Sequence, residues 1–405
     1  MPLPKFRDHT DWPRVVLLVA AGCAAAGHVG KVALALPDVS ADLHLDLNTS
    51  ALVPSIFTLV AAAGGVALGL SARRFGSLQL VVSGLLLMSV SSVVGALAED
   101  VRLLLTSRVV EGFGMILTAV AAPALIIVET RPEDRRVALG LWGAYIPAGS
   151  SLMMLAGAAV LGPAGWRGVW LLAAGLSAAC AIAVWIGLRH HETAAHATTV
   201  KIKWREAVRE AMHRDSLMLA GCFLVYGAQY LAVVSFLPLM LVERTGVTAA
   251  MAGLAGAAVA AANIVGNVGS GWLGNRGWPI ARVVMWAAVG MALCSIALFA
   301  DVSPLWLRLA AAGLFTAVGG FIPGTLLGAT PRLARTPVAA AGVVGLMIQG
   351  AGVGQLLGPP LFVRAVAAGS PAGSWQGAWV FTAAATVALL VMAAAYGRGT
   401  VRRAD

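Results

Sequence analysis

Charged and aromatic residues are scarce in this 405-residue chain, at 11% and 7%, while 59% of its residues are hydrophobic. Soluble globular domains carry about 25% charged residues, so the composition excludes an ordinary soluble fold. Cysteine is also rare. The four cysteines lie in four separate apolar runs, a spacing that fits neither a metal site nor a disulfide framework: Cys23, Cys180, Cys222 and Cys294.

The sequence has no phosphate-binding glycine loop that ends in Lys-Ser or Lys-Thr, which argues against an ATP-driven pump. It does not indicate a cleavable signal peptide either, because residues 1–13 are polar and no cleavage site follows a short apolar core. We therefore expect the first apolar run to act as its own membrane signal. We expect no cofactor and no metal.

Long apolar runs dominate what is present. A run of about 20 apolar residues can cross a bilayer as a helix. The sequence therefore predicts an all-α membrane protein with twelve transmembrane helices. The predicted spans are 15–36, 50–70, 77–98, 103–128, 137–161, 167–188, 217–241, 248–272, 280–300, 305–329, 338–363 and 375–396.

The basic residues are distributed unevenly between the two sides of these spans. If the N-terminus is cytoplasmic, most of the 28 lysines and arginines fall on the cytoplasmic side, as the positive-inside rule requires. The pattern predicts a multi-pass protein of the bacterial inner membrane with both termini in the cytoplasm. This topology explains the net charge of +10 without a nucleic-acid partner.

The chain divides into two similar halves. The predicted domains are 1–188, a linker at 189–216 and 217–405, each half having six spans. The linker contains an amphipathic segment at 201–214, which suits the inner membrane surface. A Trp-x-Gly-x-Trp pattern opens the sixth span at Trp166 and recurs at Trp375 in the twelfth. Such internal repeats are typical of transporters.

Charged residues inside the spans are the candidates for function. Arg108 and Glu111 share one face of the fourth span, three residues apart, and Lys31 lies in the first span. Charges within a membrane are costly and normally face the bundle interior or a water-filled cavity. Two interpretations remain open for Arg108 and Glu111, a structural ion pair or a polar face on a transport pathway. For Lys31, the alternative is extension outward to lipid headgroups.

Glu111 is the candidate for proton coupling. Burial favours its neutral form and the neighbouring Arg108 favours its charged form, and such opposition makes a carboxyl group titratable near neutrality. His28, one turn before Lys31, is a second candidate. Its alternative role is a hydrogen bond within the bundle.

The second half lacks central charges and offers neutral hydrogen-bonding side chains instead. These suit recognition of an organic ligand, although they could equally join helices to one another. With Lys31 and Arg108 they form the predicted substrate-binding set. Its other members are Trp142, Tyr145, Tyr226, Gln229, Tyr230, Asn263, Asn267 and Gln349.

Two motifs resemble those of the major facilitator superfamily. Residues 69–76, GLSARRFG, are similar to that family's loop between spans two and three, although Arg73 stands at the acidic position. Arg108-x-x-Glu111-Gly112-x-Gly114 resembles the fourth-span signature. The segments 30–37 and 138–142 are similar to bacterial efflux and cyanate-type permeases. The resemblance implies two six-helix halves around a cavity lined by spans one and four, and a gating loop with Gly69, Arg73, Arg74 and Gly76.

These observations predict a secondary transporter that exports a small organic solute, such as a drug, metabolite or siderophore, in exchange for protons. The alternative is uptake of a small anion, cyanate-like or carboxylate-like, because two cations and one carboxylate leave a positive site. A membrane enzyme and a sensor are less favoured, since neither a His/Cys cluster nor a sizeable soluble domain is indicated. The expected partners are the substrate, protons or another coupling ion, and the lipid bilayer. We expect a monomer and no catalytic residue.

Overall fold

The structure is a computed structural model that describes residues 9–71, 76–189, 208–209, 212–333, 337–369 and 375–401. Its elements in these ranges are helices. They are α1 Trp12–Asp42, α2 Leu47–Ser55, a 3₁₀ turn Ile56–Thr58, α3 Leu59–Ser71, α4 Ser77–Ala96, α5 Val101–Glu129, α6 Arg135–Gly143, α7 Tyr145–Leu188, α8 Arg214–Thr245, α9 Ala249–Asn275, α10 Ile280–Phe299, α11 Leu305–Gly319, α12 Phe321–Gly328, α13 Thr330–Leu333, α14 Pro337–Gly369 and α15 Ala378–Val401.

Eleven segments are long and apolar enough to cross a membrane within the described residues. One of them, α7, is 44 residues long and contains a break at Gly165, whose φ is 63° and ψ is −172°. Only glycine adopts this conformation readily. Because about 20 residues suffice for one crossing, α7 crosses twice and the total is twelve. The predicted all-α fold is confirmed.

Several span boundaries differ from the sequence prediction, among them those of the first and fifth spans, and the tenth span, predicted as 305–329, is broken between Gly319 and Phe321. The first span was predicted as 15–36, but α1 continues through Pro37 to Asp42. Proline removes one helical hydrogen bond, and a bundle in a membrane tolerates this where neighbouring helices pack around it. The fifth span was predicted as one helix, 137–161, whereas α6 ends at Gly143 and α7 starts anew at Tyr145.

Within the first half, α1 packs on α7, and α4 packs on both α5 and α7. Within the second half, α8 packs on α14 and α15, and α10 packs on α11 and α15. The repeated tryptophans have equivalent roles. Trp166 Nε1 donates to Asp42 Oδ2 at 3.0 Å, and Trp375 Nε1 donates to Glu243 Oε2 at 3.1 Å. In each half, this hydrogen bond therefore connects the end of the first span to the start of the last span.

The halves meet through α3 against α14, α7 against α9, and α1 against α8 and α9. We call the end of the bundle near Trp12 the proximal end and the opposite end the distal end. Towards the distal end, the buried Leu34 occupies the space that a side chain at Gly253 would need: a Cβ there would lie 2.0 Å from Leu34 Cδ1. Ser151 Oγ donates to the carbonyl of Ala257 at 2.7 Å in the same interface.

The division at 189–216 stays a prediction, because most of the linker, including the greater part of the amphipathic segment at 201–214, lies outside the described residues.

Candidate functional site

A charged cluster lies inside the first half, where α1, α4, α5 and α7 meet. Its four ionisable members come from α1 and α5 and are inaccessible to solvent, with exposures of 0% or 1%. We call them the charged cluster: His28, Lys31, Arg108 and Glu111. These side chains are separated in sequence by up to 83 positions and are brought together by packing of the first and fourth spans.

Glu111 is the centre of the charged cluster. Lys31 Nζ donates to its Oε1 at 2.5 Å, and Arg108 Nη1 donates to its Oε2. His28 Nδ1 lies 3.3 Å from Oε1. One carboxylate therefore compensates two cations, and both of its oxygens are occupied.

Lys31 makes two further polar contacts. Its ammonium donates to Ser92 Oγ at 2.6 Å and lies 3.2 Å from His28 Nδ1. Because an ammonium group can only donate, Nδ1 of His28 is the acceptor. The ring proton then sits on Nε2, which lies 2.8 Å from Ser177 Oγ. His28 in this arrangement is neutral.

Aromatic rings and backbone carbonyls complete the surroundings of the two cations. Lys31 Nζ lies 4.7 Å from the centroid of the Trp170 ring. The Arg108 guanidinium lies 4.4 Å from the centroid of Phe57 and donates to the carbonyls of His28 at 3.0 Å and Val53 at 3.3 Å. Arg108 therefore connects α1, α2 and α5.

The alternative in which Lys31 extends to the headgroups is wrong, because its ammonium is bonded inside the bundle. The charged cluster is enclosed, so neither Lys31 nor Arg108 is exposed to a cavity in this conformation. Its formal charge with neutral His28 is +1. A buried charge of this kind is costly unless it is compensated by hydrogen bonds and polarisable neighbours. Ser92 and the Trp170 ring provide part of that compensation.

Ser92, Trp170 and Ser177 belong to this site and were not among the predicted residues. Ser92 also donates to the carbonyl of Trp170 at 2.8 Å, which links α4 to α7. The repeat beginning at Trp166 drew attention to Trp170, but serines in apolar helices are too common to identify a partner from sequence. Only the packing of α4 and α7 against α1 identifies them.

A neutral polar cluster lies in the second half. Asn263 Nδ2 donates to Tyr226 OH at 3.0 Å and to the carbonyl of Thr316 at 2.8 Å. Asn267 Nδ2 donates to Asn263 Oδ1 at 2.7 Å. The Tyr226 and Tyr230 rings stack with centroids 5.7 Å apart. Four predicted substrate-binding residues are thus neighbours, joining α8, α9 and α11.

Gln229 and Tyr230 carry buried polar atoms that have no hydrogen-bond partner in the part of the chain that the structure describes. Both amide atoms of Gln229 and the hydroxyl of Tyr230 are in this condition, and the residues are 0% and 6% exposed. Buried polar groups are normally paired, so each of these atoms calls for a partner other than the residues that the structure describes. Water or a bound solute would satisfy them.

The remaining predicted residues lie in two further places. Trp142 and Tyr145 stack on each other, with centroids 4.3 Å apart, against Gly22 of α1. Gln349 Oε1 accepts from the backbone N–H of Val66 at 3.2 Å, across the contact between α14 and α3.

In the predicted gating loop, Gly69 lies near the end of α3 and Gly76 directly precedes α4. Arg73 and Arg74 lie outside the described residues.

Comparison with known families decides what kind of protein carries these sites. The model of the Major Facilitator Superfamily matches residues 17–352. The chain belongs to the Major Facilitator Superfamily. A structure of a bacterial homologue of the human lysosomal transporter Spinster, inward-facing and unoccupied, is similar with a TM-score of 0.74, 17% identity, and coverage of 95% of this chain and 96% of that one. A mutant of the nucleoside transporter NupG has a TM-score of 0.76 at 14% identity, covering 95% of this chain and 99% of that one. At these identities the likeness shows the fold.

Curated superfamily relatives include drug exporters. The multidrug efflux pump LfrA of Mycolicibacterium smegmatis is 31% identical over 143 residues, which are 35% of this chain and 28% of that protein. The puromycin resistance protein pur8 of Streptomyces alboniger is 32% identical over 168 residues, 41% of this chain and 33% of that protein. The matched regions are thus a third or less of those two proteins.

A longer match is with monocarboxylate transporter 11 of Mus musculus, 29% identical over 375 residues, covering 86% of this chain and 80% of that protein. The superfamily and these structural neighbours are transporters, not enzymes. As a member of this superfamily, the chain is a multi-pass membrane protein.

Proposed function

We propose that this transporter exports a small organic solute in exchange for protons, through the bacterial inner membrane. The observation that carries the proposal is Glu111, held between Lys31 and Arg108 in a fully buried cluster. Ionisable groups inside a membrane bundle are the usual elements of proton relays. The drug-resistance relatives support export of an organic compound.

The geometry supports a different proton carrier from Glu111, which the sequence predicted. Glu111 faces two cations, so a proton added to it would leave Lys31 and Arg108 both without a counter-charge. A proton lost from Lys31 instead leaves a neutral amine beside an intact Arg108–Glu111 pair. The charged cluster then alternates between formal charges of +1 and 0, and neither state contains an unpaired carboxylate. We therefore assign the coupling proton to Lys31, with Glu111 as its counter-ion.

His28 is placed to pass this proton on. Its Nδ1 accepts from Lys31 at 3.2 Å and its Nε2 reaches Ser177 on α7. Imidazole can accept a proton at one nitrogen and release one at the other, which makes it a suitable relay. This role keeps His28 in the coupling set that the sequence predicted.

The substrate is proposed to bind in the second half, at Tyr226, Tyr230, Asn263, Asn267 and Gln229. The unpartnered amide of Gln229 and hydroxyl of Tyr230 support this assignment, since a ligand with both donor and acceptor groups would satisfy them. Stacked tyrosines provide an aromatic surface for an organic ring. The charged cluster lies in the first half and the proposed substrate site in the second, and these halves move against each other during transport.

Transport into everted membrane vesicles tests the proposal. An imposed gradient, acidic inside, should drive uptake of a substrate such as puromycin, and substrate addition should release protons. Uptake that ignores the gradient would contradict proton exchange. Candidate substrates would then be ranked by whether they quench the tyrosine and tryptophan fluorescence of the purified protein.

A second candidate is uptake of a small anion such as a monocarboxylate. The formal charge of +1 in the charged cluster and the long match to monocarboxylate transporter 11 favour it. The same vesicles distinguish the two, because protons leaving the acidic lumen would carry a co-transported anion out with them, whereas they would drive an exchanged solute in. The monomeric state and the cytoplasmic position of both termini belong to this proposal as well.

A further inference from the structure

A groove of about 310 Å³ lies on the outer surface of the second half, between α9, α10 and the break that separates α11 from α12. It is lined by apolar side chains, among them Leu273, Trp278, Val283, Trp286, Val318 and Phe321. Trp278 and Trp286 are 43% and 66% exposed. The groove is at the proximal end, where α9 finishes and α10 begins. Tryptophans at this level of a membrane protein mark the boundary between acyl chains and headgroups.

Two arginines adjoin lining residues of this groove in the chain: Arg276 lies between Leu273 and Trp278, and Arg282 directly precedes Val283. Arg276 and Arg282 occupy the turn and first residues that connect α9 to α10, and both are exposed. In the portion of the chain that the structure describes, neither has a carboxylate partner, and residues 275–282 contain no Asp or Glu. The Arg276 guanidinium lies 3.7 Å from the centroid of the Trp272 ring, which orients it. The connection between α9 and α10 is therefore positive, with no paired carboxylate among the residues that the structure describes.

We propose that the groove binds an anionic phospholipid, with one acyl chain against Trp278, Trp286 and Phe321 and the phosphate on Arg276 and Arg282. Both parts of such a lipid, its acyl chain and its phosphate, match the side chains that would contact them. An acyl chain buries its methylenes in an apolar groove at the level of the membrane, and guanidinium groups bind phosphate oxygens in a bidentate manner. A zwitterionic lipid would offer the same chain with a weaker headgroup contact.

The groove also adjoins the helix break that packs next to the neutral polar cluster. Val318 and Phe321 are on opposite sides of Gly320, where α11 ends and α12 begins. Gly320 packs so closely on α9 that an added Cβ would lie 2.3 Å from the carbonyl oxygen of Asn263. The Phe321 ring rests on Gly269 of the same helix. A bound acyl chain would thus hold the break in the tenth span against the helix that carries Asn263.

Native mass spectrometry of the full-length protein tests the binding. The purified transporter is exchanged into detergent containing either phosphatidylglycerol or phosphatidylcholine, and retained lipid is counted. We expect preferential retention of phosphatidylglycerol. In the double variant Arg276→Gln/Arg282→Gln, retention of phosphatidylglycerol should fall about fivefold for each arginine removed. This corresponds to about 1 kcal/mol for each basic residue near an anionic lipid. Arg102→Gln, an exposed arginine of the other half and end, is the matched control.

A third variant separates the chain contact from the headgroup contact. Trp286→Ala removes exposed apolar surface from the groove and should lower retention of both lipids alike. Equal retention of the two lipids by the unchanged protein would overturn the proposal, as would unchanged phosphatidylglycerol retention in the double variant. Because these measurements count bound lipid and not transport, they succeed or fail independently of the proposed exporter function.

Discussion

The ammonium nitrogen of Lys31 lies 2.5 Å from Oε1 of Glu111, and both side chains are inaccessible to solvent. This contact joins the first and fourth spans at the centre of the first half. The Glu111 carboxylate also has Arg108 as a second cationic partner. The protonation of Lys31 and the charge of the whole cluster are therefore linked, and the first two predictions follow from this.

Lys31→Met should abolish accumulation driven by a pH gradient while keeping substrate exchange between the two sides of a vesicle. The substitution removes the proposed dissociable proton and keeps most of the packing volume. It leaves the Arg108–Glu111 pair as a neutral unit, so we expect the variant to fold and insert. Lys31→Arg is the matched variant, since arginine stays charged at working pH and should also lose coupling. Full gradient-driven accumulation by Lys31→Met would exclude Lys31 as the proton carrier.

Glu111→Gln should also lose accumulation driven by a pH gradient, and the protein that folds should keep substrate binding and exchange. It should be less stable than Lys31→Met, because removal of the carboxylate leaves two buried cations without a counter-charge. Breaking a buried ion pair from one side costs about 3–5 kcal/mol. Thermal unfolding in detergent would show the order of stability, and vesicle assays would show the coupling. If Glu111→Gln concentrates substrate as well as the parent protein, the carboxylate has no part in coupling.

Gly253→Val should impair transport by preventing Leu34 from packing at the distal interface between the halves. A Cβ at this position would lie 2.0 Å from Leu34 Cδ1, and at Gly157 it would lie 2.6 Å from Leu34 Cδ2. The added Leu34→Ala change should restore transport in the Gly253→Val background, because it empties the contested space. Gly271→Val is the control on the same helix, since nothing lies within 4 Å of a Cβ there. Failure of the rescue would mean that this contact does not limit the movement of the halves.

Reporter fusions should place both termini and the loop between α7 and α8 in the cytoplasm. The reason is the concentration of lysine and arginine on that side of the predicted spans. A fusion after Arg189 should report a cytoplasmic position, and a fusion after Val247 should report a periplasmic one. A periplasmic signal from the fusion after Arg189 would contradict the proposed orientation of all twelve spans.

Several features could be predicted because they are local along the chain. The apolar runs determined the membrane class and the twelve crossings, since a helix in a bilayer satisfies its own backbone and needs only about 20 apolar residues. The pairing of Arg108 with Glu111 followed from their spacing of three residues on one helix. Gly165, between two predicted spans, corresponds to the break in α7.

Other features were decided by the tertiary structure. Lys31 could have reached the headgroups or the bundle interior with equal ease, and the packing of α1 against α5 directs it to Glu111, 80 positions away. Ser92 and Ser177 have no distinguishing pattern in sequence and join the site only because α4 and α7 bring them there. Likewise, the sequence around Gln229 does not show what surrounds its side chain. Only the packing of the second half reveals that this amide is buried and has no hydrogen-bond partner among the described residues. Periodicity and spacing act within one helix, whereas the partner of a buried polar group is set by which helices are neighbours.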